Sequence, residues 1–392
     1  MVSVKERTVK GKKYLYVTAT SSYKGKKKRF EKSIGPKEGD PEELKERIEF
    51  YSELMDLRST LYRVYMEAMD TDFRYLPKFY SIYLSMVRNF YSSYLADLYP
   101  SELEKYNDDL KVKYVHHTTA LEGNTLTLVE AALVLEDGIA PKGKKLREIY
   151  EIENFRRLIR FVRGYRGDIT PEFIRKVHSL VQRNIDDEQG GNLRRIEVGV
   201  IGSTLEPPPA IFVKEELQEL VDWYKNNPDG LPPFELACIF HYRFVHIHPF
   251  VDGNGRVARE LLNFILERNG YPPMIIEIGE REEYLKRLQK ADEGNPGPFM
   301  EQMALKMISD YESVIFSFHR KVMKDMEELS EQEMKDILET LIWFMSLMRE
   351  FEVQIPPEAR EKIASIRRFL DVARIPSGAR APRDPIISQS KR

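Results

Sequence analysis

The sequence from residue 248 to residue 259 reads His248-Pro-Phe-Val-Asp-Gly-Asn-Gly-Arg-Val-Ala-Arg259. Apolar residues recur at helical spacing before it, over Pro233–Ile247, and after it, over residues 257–268. The segment is therefore predicted to be a tight loop that joins two helices. Its two glycines can adopt positive φ and leave backbone N–H groups uncovered, and a helix N-terminus follows. Together these features predict a concave site for an anion such as phosphate.

The charged side chains of the loop predict what kind of phosphate it binds. Arg256 and Arg259 lie three residues apart on the first turn of the second helix, so both guanidinium groups should point to one side and hold phosphoryl oxygens. Asp252 would repel phosphate unless a divalent cation such as Mg²⁺ bridges the two. His248 can accept a proton near neutral pH and is the candidate general base. A simple structural turn would leave the arginines opposing the helix dipole, so a Mg-nucleotide site is favoured.

This segment resembles the signature of the Fic family, His-Pro-Phe-x-Asp-Gly-Asn-Gly-Arg-x-x-Arg, and all nine specified positions match. Similarity in family pattern extends from about residue 111 to residue 299. The resemblance implies a helical core that transfers AMP from ATP to a protein hydroxyl, with His248 deprotonating the target Ser, Thr or Tyr. It assigns the other loop residues to Mg-ATP: Asp252 to the metal, Gly253, Asn254 and Gly255 to the α-phosphate region, and Arg256 and Arg259 to the β- and γ-phosphates.

A second element of the family pattern lies upstream, in Thr118-Thr-Ala-Leu-Glu-Gly-Asn124. It resembles the inhibitory motif Ser/Thr-x-x-x-Glu-Gly/Asn, which implies an inhibitory helix at about residues 116–124. Glu122 paired with Arg259 would occupy the partner of the γ-phosphate and repel the nucleotide. By itself the pattern is also a common helix-capping pattern. In some relatives of this subclass the same glutamate positions a water for removing AMP, and the sequence leaves the balance of the two activities open.

Two further segments are assigned through the resemblance. Residues 194–213 are predicted to form a β-hairpin flap that aligns the target by strand pairing, although Leu193 stands where an aromatic residue is common. Downstream, Tyr284 lies where the family contacts adenine, with Asp292 near the ribose. Glu283 departs from the usual tyrosine pair at that place.

Histidines outside the loop are interpreted as packing residues. His241 and His246 lie on the helix before the loop, and with His248 they suggest a metal site only weakly, because no carboxylate stands at ligand spacing. His116 and His117 beside the inhibitory motif are expected on the helix surface or in its packing.

The N-terminal residues 1–40 are predicted to form a basic β element. The first 35 residues hold eleven Lys and Arg against Glu6 and Glu31, a balance of +9. Residues 14–20 are β-rich, and Ser22 to Lys28 should be a turn that leads into a second strand. The element is either a contact for nucleic acid or an acidic partner, or a solvated hairpin with lysines that prevent edge aggregation.

The rest of the chain is predicted to be mostly α-helical. At 392 residues it is long enough for two or three domains. We expect a helical region over residues 41–110, a Fic core over 111–299, a helical module over 300–374 and a disordered tail over 375–392. Within these, helices are expected from residue 77 to 109 and over 299–329, 331–351 and 357–372.

Composition limits the function classes further. The formal charge of −2 excludes a globally cationic binder, and the single cysteine, Cys238, excludes an internal disulfide, so a reducing cytoplasm fits best. No membrane span is expected. The function predicted is a protein adenylyltransferase that uses Mg²⁺ and ATP and is inhibited by Glu122. Removal of AMP, or a binding module with a nucleotide-sensing core, are the alternatives. Partners considered are ATP, a target protein, the protein itself as target and a second copy in a homodimer.

Overall fold

The structure is a computed structural model, and it describes residues 2–199, 206–315, 330–349 and 351 of the chain. It divides into two compact units: one drawn from residues 1–72, 77–94 and 307–392, the other from residues 73–76 and 95–306. The described helices are α1 (Pro41–Asp70), α2 (Tyr80–Asp97), α3 (Pro100–Ala120), α4 (Leu128–Ala132), α5 (Leu146–Gly164), α6 (Pro171–Val181), α7 (Val213–Asn226), α8 (Pro233–Ile247), α9 (Asn254–Arg268), α10 (Arg281–Asp292), α11 (Gly297–Asp310), α12 (Glu312–Ile315) and α13 (Glu331–Met348).

The first unit begins with an antiparallel sheet of three strands, β1 (Val2–Val9), β2 (Lys12–Tyr23) and β3 (Lys26–Pro36), in that order. Two-residue turns join them, Lys10-Gly11 and Lys24-Gly25, and all four residues have positive φ. Such turns match the right-handed twist of the flanking strands. The predicted β element is therefore present, with a first strand, β1, that the sequence analysis did not include.

One face of the sheet packs against α1. Leu15, Val17 and Ala19 of β2 alternate inward and are buried in one cluster with Leu54 and Met55 of α1. The helix itself starts where Asp40 accepts a hydrogen bond from the backbone N–H of Glu42, with a proline at the first helical position. Period-two burial in the strand and an amphipathic helix thus give this unit its core.

Most of α2, the last residues of α11, and helices α12 and α13 complete the described part of the first unit. Tyr80 and Tyr83 of α2 are buried, so this side of the helix is packing surface. On α13, Asp336 accepts hydrogen bonds from Tyr51 of α1 at 2.9 Å and from Lys32 of β3 at 2.5 Å.

The second unit is a helical bundle with α9 at its centre. Helices α8, α6 and α3 pack against α9, and α7 packs against α8. Leu261, Leu262 and Ile265 of α9 are buried with the rest of its middle turns. Because α9 is buried on most sides, the helices around it hold it in place. The loop between α8 and α9 is therefore held by a rigid pair of core helices, as the sequence predicted.

Several predicted boundaries need correction. The helix predicted to run from residue 77 to 109 is interrupted before Pro100, because Tyr99 is extended (ψ 152°), as residues before proline usually are. Residues 194–199 and 206–209 contain no strand, Ala210–Phe212 is a single 3₁₀ turn, and the predicted hairpin tip at 200–205 lies outside the described residues. α11 ends at Asp310, α13 at Met348, and residues 316–329 and 352–392, with the predicted tail, also lie outside the described part.

Across the described ranges, no helix is both long enough and apolar enough to cross a bilayer.

Candidate active site

A cavity of about 490 Å³ opens in the second unit beside the loop between α8 and α9. Its walls are residues 120–123 at the end of α3, the loop with the start of α9, and one side of α10. His248, Asp252 and Arg259 line it together with Glu122 and Tyr284. The fold therefore brings the chemical groups predicted from two distant sequence segments into one cavity.

The loop has a fixed backbone shape at both ends. His248 ends α8 in the left-handed conformation (φ 48°), and Gly253 precedes α9 with φ 82°. Asn254 locks the loop, because its amide donates to the carbonyl of Phe250 at 2.8 Å and accepts from the Phe250 N–H at 2.9 Å. The side chain of Asn254 is buried, and both ends of its amide group are used in these two hydrogen bonds. Asn254 lines the cavity, and its place in the α-phosphate region stays a prediction.

Two buried residues outside the loop brace it. Arg194 donates from Nε to the carbonyl of His248 at 2.8 Å, and its backbone N–H donates to Pro249 at 3.0 Å. His178 stacks on Phe250 at 3.7 Å between ring centroids, accepts from the N–H of Gly191 at Nδ1, and thereby donates from Nε2 to the carbonyl of Asp252. Burial lowers the pKa of His178 to about 4, so it is neutral, as this pattern requires. Sequence spacing carried no signal for His178.

Glu122 lies in the turn that follows the last helical turn of α3, so the predicted inhibitory helix is the end of a longer helix. Its carboxylate accepts from Nη2 of Arg259 at 2.8 Å. A Cβ placed on Gly255 would lie 2.2 Å from Oε1 of Glu122. The carboxylate thus rests directly on the N-terminus of α9, where the helix dipole and free N–H groups favour an anion. Glu122 occupies the place predicted for phosphate.

Arg259 is buried and held by three hydrogen bonds. Besides Glu122, it donates to the hydroxyl and to the carbonyl of Thr118, each at 2.8 Å. Burial alone would raise the pKa of Glu122, but the charge and hydrogen bond of Arg259 outweigh this effect and lower that pKa. The contact predicted between Glu122 and Arg259 is therefore present, and the carboxylate is ionised.

Arg256 does not share the environment of Arg259. Its guanidinium is buried, 3.1 Å from Asp252 and 3.4 Å from the carboxylate of Glu151, and it does not line the cavity. The two arginines diverge because a buried carboxylate on α5 attracts one of them and the end of α3 attracts the other. The expectation that both point to one side is wrong for this structure.

Asp252 is the candidate metal ligand. Its side chain is about half exposed and lines the cavity, and it also pairs with Arg147 of α5 at 2.6 Å. Burial would raise its pKa, but the charge of Arg256 and the hydrogen bond from Gly253 lower it, so the carboxylate is ionised. One exposed carboxylate next to an anion site is the donor set that Mg²⁺ uses with phosphate oxygens. The residues present therefore fit Mg²⁺.

His248, the candidate base, lines the cavity. Its Nδ1 lies 3.3 Å from the carbonyl of Val245, which requires the proton on Nδ1 and leaves the lone pair on Nε2. Burial lowers the pKa of the imidazole, because it disfavours the charged ring. A neutral histidine with a free Nε2 lone pair can accept a proton from a hydroxyl.

The α10 side of the cavity is partly as predicted. Tyr284 lines the cavity, but its hydroxyl is engaged with Nε2 of His241 at 2.6 Å, so only its ring can contact a base. Glu283 is exposed and pairs with Arg287, and Asp292 pairs with His246 at 3.1 Å. Arg281, which the sequence analysis did not single out, lines the cavity and donates to the carbonyl of Leu121, tying α10 to the turn that carries Glu122.

The histidines do not form a metal centre. His241, His246 and His248 each have a different partner or environment, and no group of three metal-binding side chains occurs in the part of the chain that the structure describes. His116 and His117 lie against each other, and His117 accepts from the N–H of Ile278 at 3.3 Å. Their interpretation as packing residues is consistent with these contacts.

Comparison with known proteins agrees with this geometry. Residues 168–266 match the model of the Fic/DOC family. Protein adenylyltransferase fic-1 of Caenorhabditis elegans is 38% identical over 197 residues, which are 49% of this chain and 38% of that protein. Protein adenylyltransferase Fic of Drosophila willistoni is 34% identical over 208 residues, which are 52% of this chain and 41% of that protein. The chain thus spans about two fifths of the length of these curated relatives.

Two solved structures are similar to a larger share of this chain. A Fic domain containing signalling protein from Bacteroides thetaiotaomicron superposes with a TM-score of 0.54 at 27% identity, covering 60% of this chain and 98% of that one. Fic-1 from Caenorhabditis elegans gives 0.53 at 28% identity, with 70% and 83% covered. The Fic resemblance and the mostly helical fold predicted from the sequence are confirmed.

Proposed function

Because residues 168–266 form a Fic domain, we propose that this protein transfers AMP from ATP to a hydroxyl side chain of a protein. The observation that carries the proposal is the meeting of His248, Asp252 and Arg259 at the N-terminus of α9 in one cavity. Its volume, about 490 Å³, lies within the range of small-molecule sites.

The base in this reaction is His248. Nε2 takes the proton of the target hydroxyl while the hydroxyl oxygen bonds to the α-phosphorus, and the bond from that phosphorus to pyrophosphate breaks. The backbone N–H groups at the start of α9 stabilise the negative charge on the α-phosphate. Arg259 supports the terminal phosphate once Glu122 has moved away from it.

Asp252 would hold Mg²⁺, which when bound neutralises phosphate charge and assists the departure of pyrophosphate. Arg147 now occupies one oxygen of this carboxylate. Since a cation at Asp252 has to compete with that guanidinium, Arg147 is expected to weaken metal binding.

Arg147→Gln is therefore predicted to tighten Mn²⁺ binding by about two- to fivefold, the scale of one partly exposed ion pair. The measurement is electron paramagnetic resonance titration of Mn²⁺ in the presence of a non-hydrolysable ATP analogue. Arg160→Gln, an exposed arginine on the same helix, is the matched control and should leave the titration unchanged. Equal or weaker Mn²⁺ binding in Arg147→Gln would contradict the competition.

The pH dependence of transfer follows from the lowered pKa of His248. A base must be neutral, and this imidazole stays neutral to a pH below the ordinary 6.5. The transfer rate is expected to stay constant as the pH falls to the ordinary value of 6.5 and to decline only below it. Asp252 and Glu122, whose pKa values are lowered too, remain ionised throughout this range. A profile of kcat/KM between about pH 5 and 8 tests this; a midpoint above 6.5 would contradict it.

Removal of AMP from a modified protein is a second candidate, favoured by one observation. The ionised carboxylate of Glu122 lines the same cavity as His248, where it can accept a proton from an attacking water. Release of labelled AMP from a pre-modified target by the wild type, lost in both Glu122→Gln and His248→Ala, would assign this activity. If Glu122→Gln still released labelled AMP from the target, Glu122 would have no role in removing AMP.

The transfer itself is tested with two labelled forms of ATP. Label in the α-phosphate should become covalently attached to the protein or to a lysate protein, whereas label in the γ-phosphate should not. Mass spectrometry should then find one AMP group on a Ser, Thr or Tyr. Attachment of the γ-label alone would indicate phosphoryl transfer and refute the proposal.

A further inference from the structure

We propose that the face of the N-terminal sheet turned away from α1 binds double-stranded DNA. The proposal is independent of adenylyl transfer, and its residues lie outside the cavity described above.

The strand register assembles the charge of this face. Directly opposed residues of antiparallel strands share one face, and Arg7 opposes Tyr14, Lys5 opposes Tyr16, and Thr20 opposes Arg29. Because Leu15, Val17 and Ala19 point into the core, their neighbours on β2 point outward. The outward face therefore carries the cations Lys5, Arg7, Lys12, Lys27 and Arg29.

Opposing charge on this face is small. Glu31 is the one carboxylate among its described residues, and hydroxyl side chains fill most of the other positions. The five cations and Glu31 give this face a balance of +4, in a chain whose net charge is −2. A face that only had to stay soluble would carry charges of both signs. The predominance of positive charge on this face therefore indicates a polyanionic partner.

On the opposite face of the sheet, two lysines form ion pairs with carboxylates. There Lys13 pairs with Glu6 at 2.7 Å, and Lys32 pairs with Asp336 at 2.5 Å. On the outward face, Lys5, Lys12 and Lys27 have no carboxylate partner within the described residues. The three outward lysines are therefore available to an anionic partner.

The arginines of the outward face are arranged for bidentate contacts. Arg7 donates twice to Glu31, at 2.6 and 2.7 Å, and Arg29 donates to the same carboxylate at 2.7 Å. Arg7 also lies over the ring of Tyr16, 4.6 Å from its centroid. Two guanidinium groups that share one exchangeable carboxylate can turn to the acceptor edge of guanine.

The dimensions favour B-form DNA. Three strands spaced about 4.8 Å apart span about 10 Å, which fits a major groove about 12 Å wide. The lysines on the rim of the face would then reach the phosphates on both sides. The major groove of A-form RNA is too narrow and deep for such a face.

Fluorescence anisotropy of a labelled duplex with the full-length protein tests the proposal over a series of salt concentrations. Combined Lys5→Gln, Lys12→Gln and Lys27→Gln should weaken binding by about tenfold or more and reduce the log–log salt slope by about 0.9 for each lost phosphate contact. The control combines Lys176→Gln, Lys214→Gln and Lys225→Gln, three exposed lysines of the second unit. This control changes net charge equally and should bind like the wild type.

A pair of glutamate variants gives a test of opposite sign. Glu31→Gln should tighten DNA binding by about two- to fivefold, because it removes the competing carboxylate of this face. Glu6→Gln makes the same charge change on the opposite face and should have little effect. Circular dichroism checks that the sheet stays folded in each variant.

Three results would overturn the proposal. They are no binding of the duplex at low salt, equal weakening by the two lysine triples, and competition by polyglutamate as effective as that by unlabelled DNA. The last result would assign the face to an acidic protein instead. Transfer of α-label from ATP, measured in parallel, should be the same in all of these variants.

Discussion

Replacing Glu122 with glycine is expected to raise the rate at which the protein modifies itself with AMP from Mg-ATP by about ten- to hundredfold. Under the proposed function, the carboxylate would compete with the nucleotide at two places. It accepts from Arg259 at 2.8 Å, and it rests on the N-terminus of α9 against Gly255. Removing it frees a buried cation and an anion site together.

The magnitude follows from the strength of one hydrogen bond between charged groups, about 1.5–3 kcal/mol net. After the substitution, Arg259 keeps its two bonds to Thr118, so it remains in position. A buried guanidinium without a carboxylate is poorly neutralised, and a terminal phosphate supplies the missing charge. We therefore expect tighter ATP binding as well as faster labelling.

Two matched variants separate charge from shape. Glu122→Gln keeps the size and an acceptor oxygen but loses the charge, and should give an intermediate rate. Arg259→Ala in the Glu122→Gly background should abolish the gain, since the gain acts through that cation. Incorporation of α-label and calorimetric ATP affinity are the measurements. A Glu122→Gly protein that is folded and labels itself no faster than the wild type would refute inhibition by this residue.

The loop and its place between two helices could be predicted because both depend on local pattern. Helical spacing on either side and a glycine at positive φ, Gly253, are properties of neighbouring residues. α8 and α9 begin and end within three residues of the expected positions. The contact of Glu122 with Arg259 spans 137 residues. It was predicted only because two separate segments resembled one family pattern.

Contacts that depend on packing could not be predicted. Arg147 lies 105 residues from Asp252 in sequence, and nothing in its neighbourhood indicates the ion pair. Arg256 turns to Glu151, a carboxylate of α5 whose burial only the fold creates. The amide of Asn254 closes the loop on Phe250 because buried backbone groups must be hydrogen-bonded, a demand that spacing does not show.

The second large effect is expected for His248→Ala, which should lower AMP transfer by about 10²–10⁴-fold, the usual contribution of a general base. Without Nε2, two other ionised carboxylates remain among the described lining residues. Asp252 pairs with Arg147 and Arg256, and Glu122, which pairs with Arg259, has to leave this place for ATP to bind. ATP binding should change little, because the cradle consists of the α9 N-terminus and Arg259. Loss of rate with retained affinity is the result that identifies a base.

The backbone at this position requires a second variant. His248 has φ 48°, a left-handed conformation that costs alanine about 1 kcal/mol and that asparagine tolerates well. His248→Asn therefore removes the base with less strain, and it should be as inactive as His248→Ala while melting at nearly the wild-type temperature. If His248→Asn instead retained transfer within about tenfold of the wild type, the residue would be holding the loop and the proton would be leaving by another route.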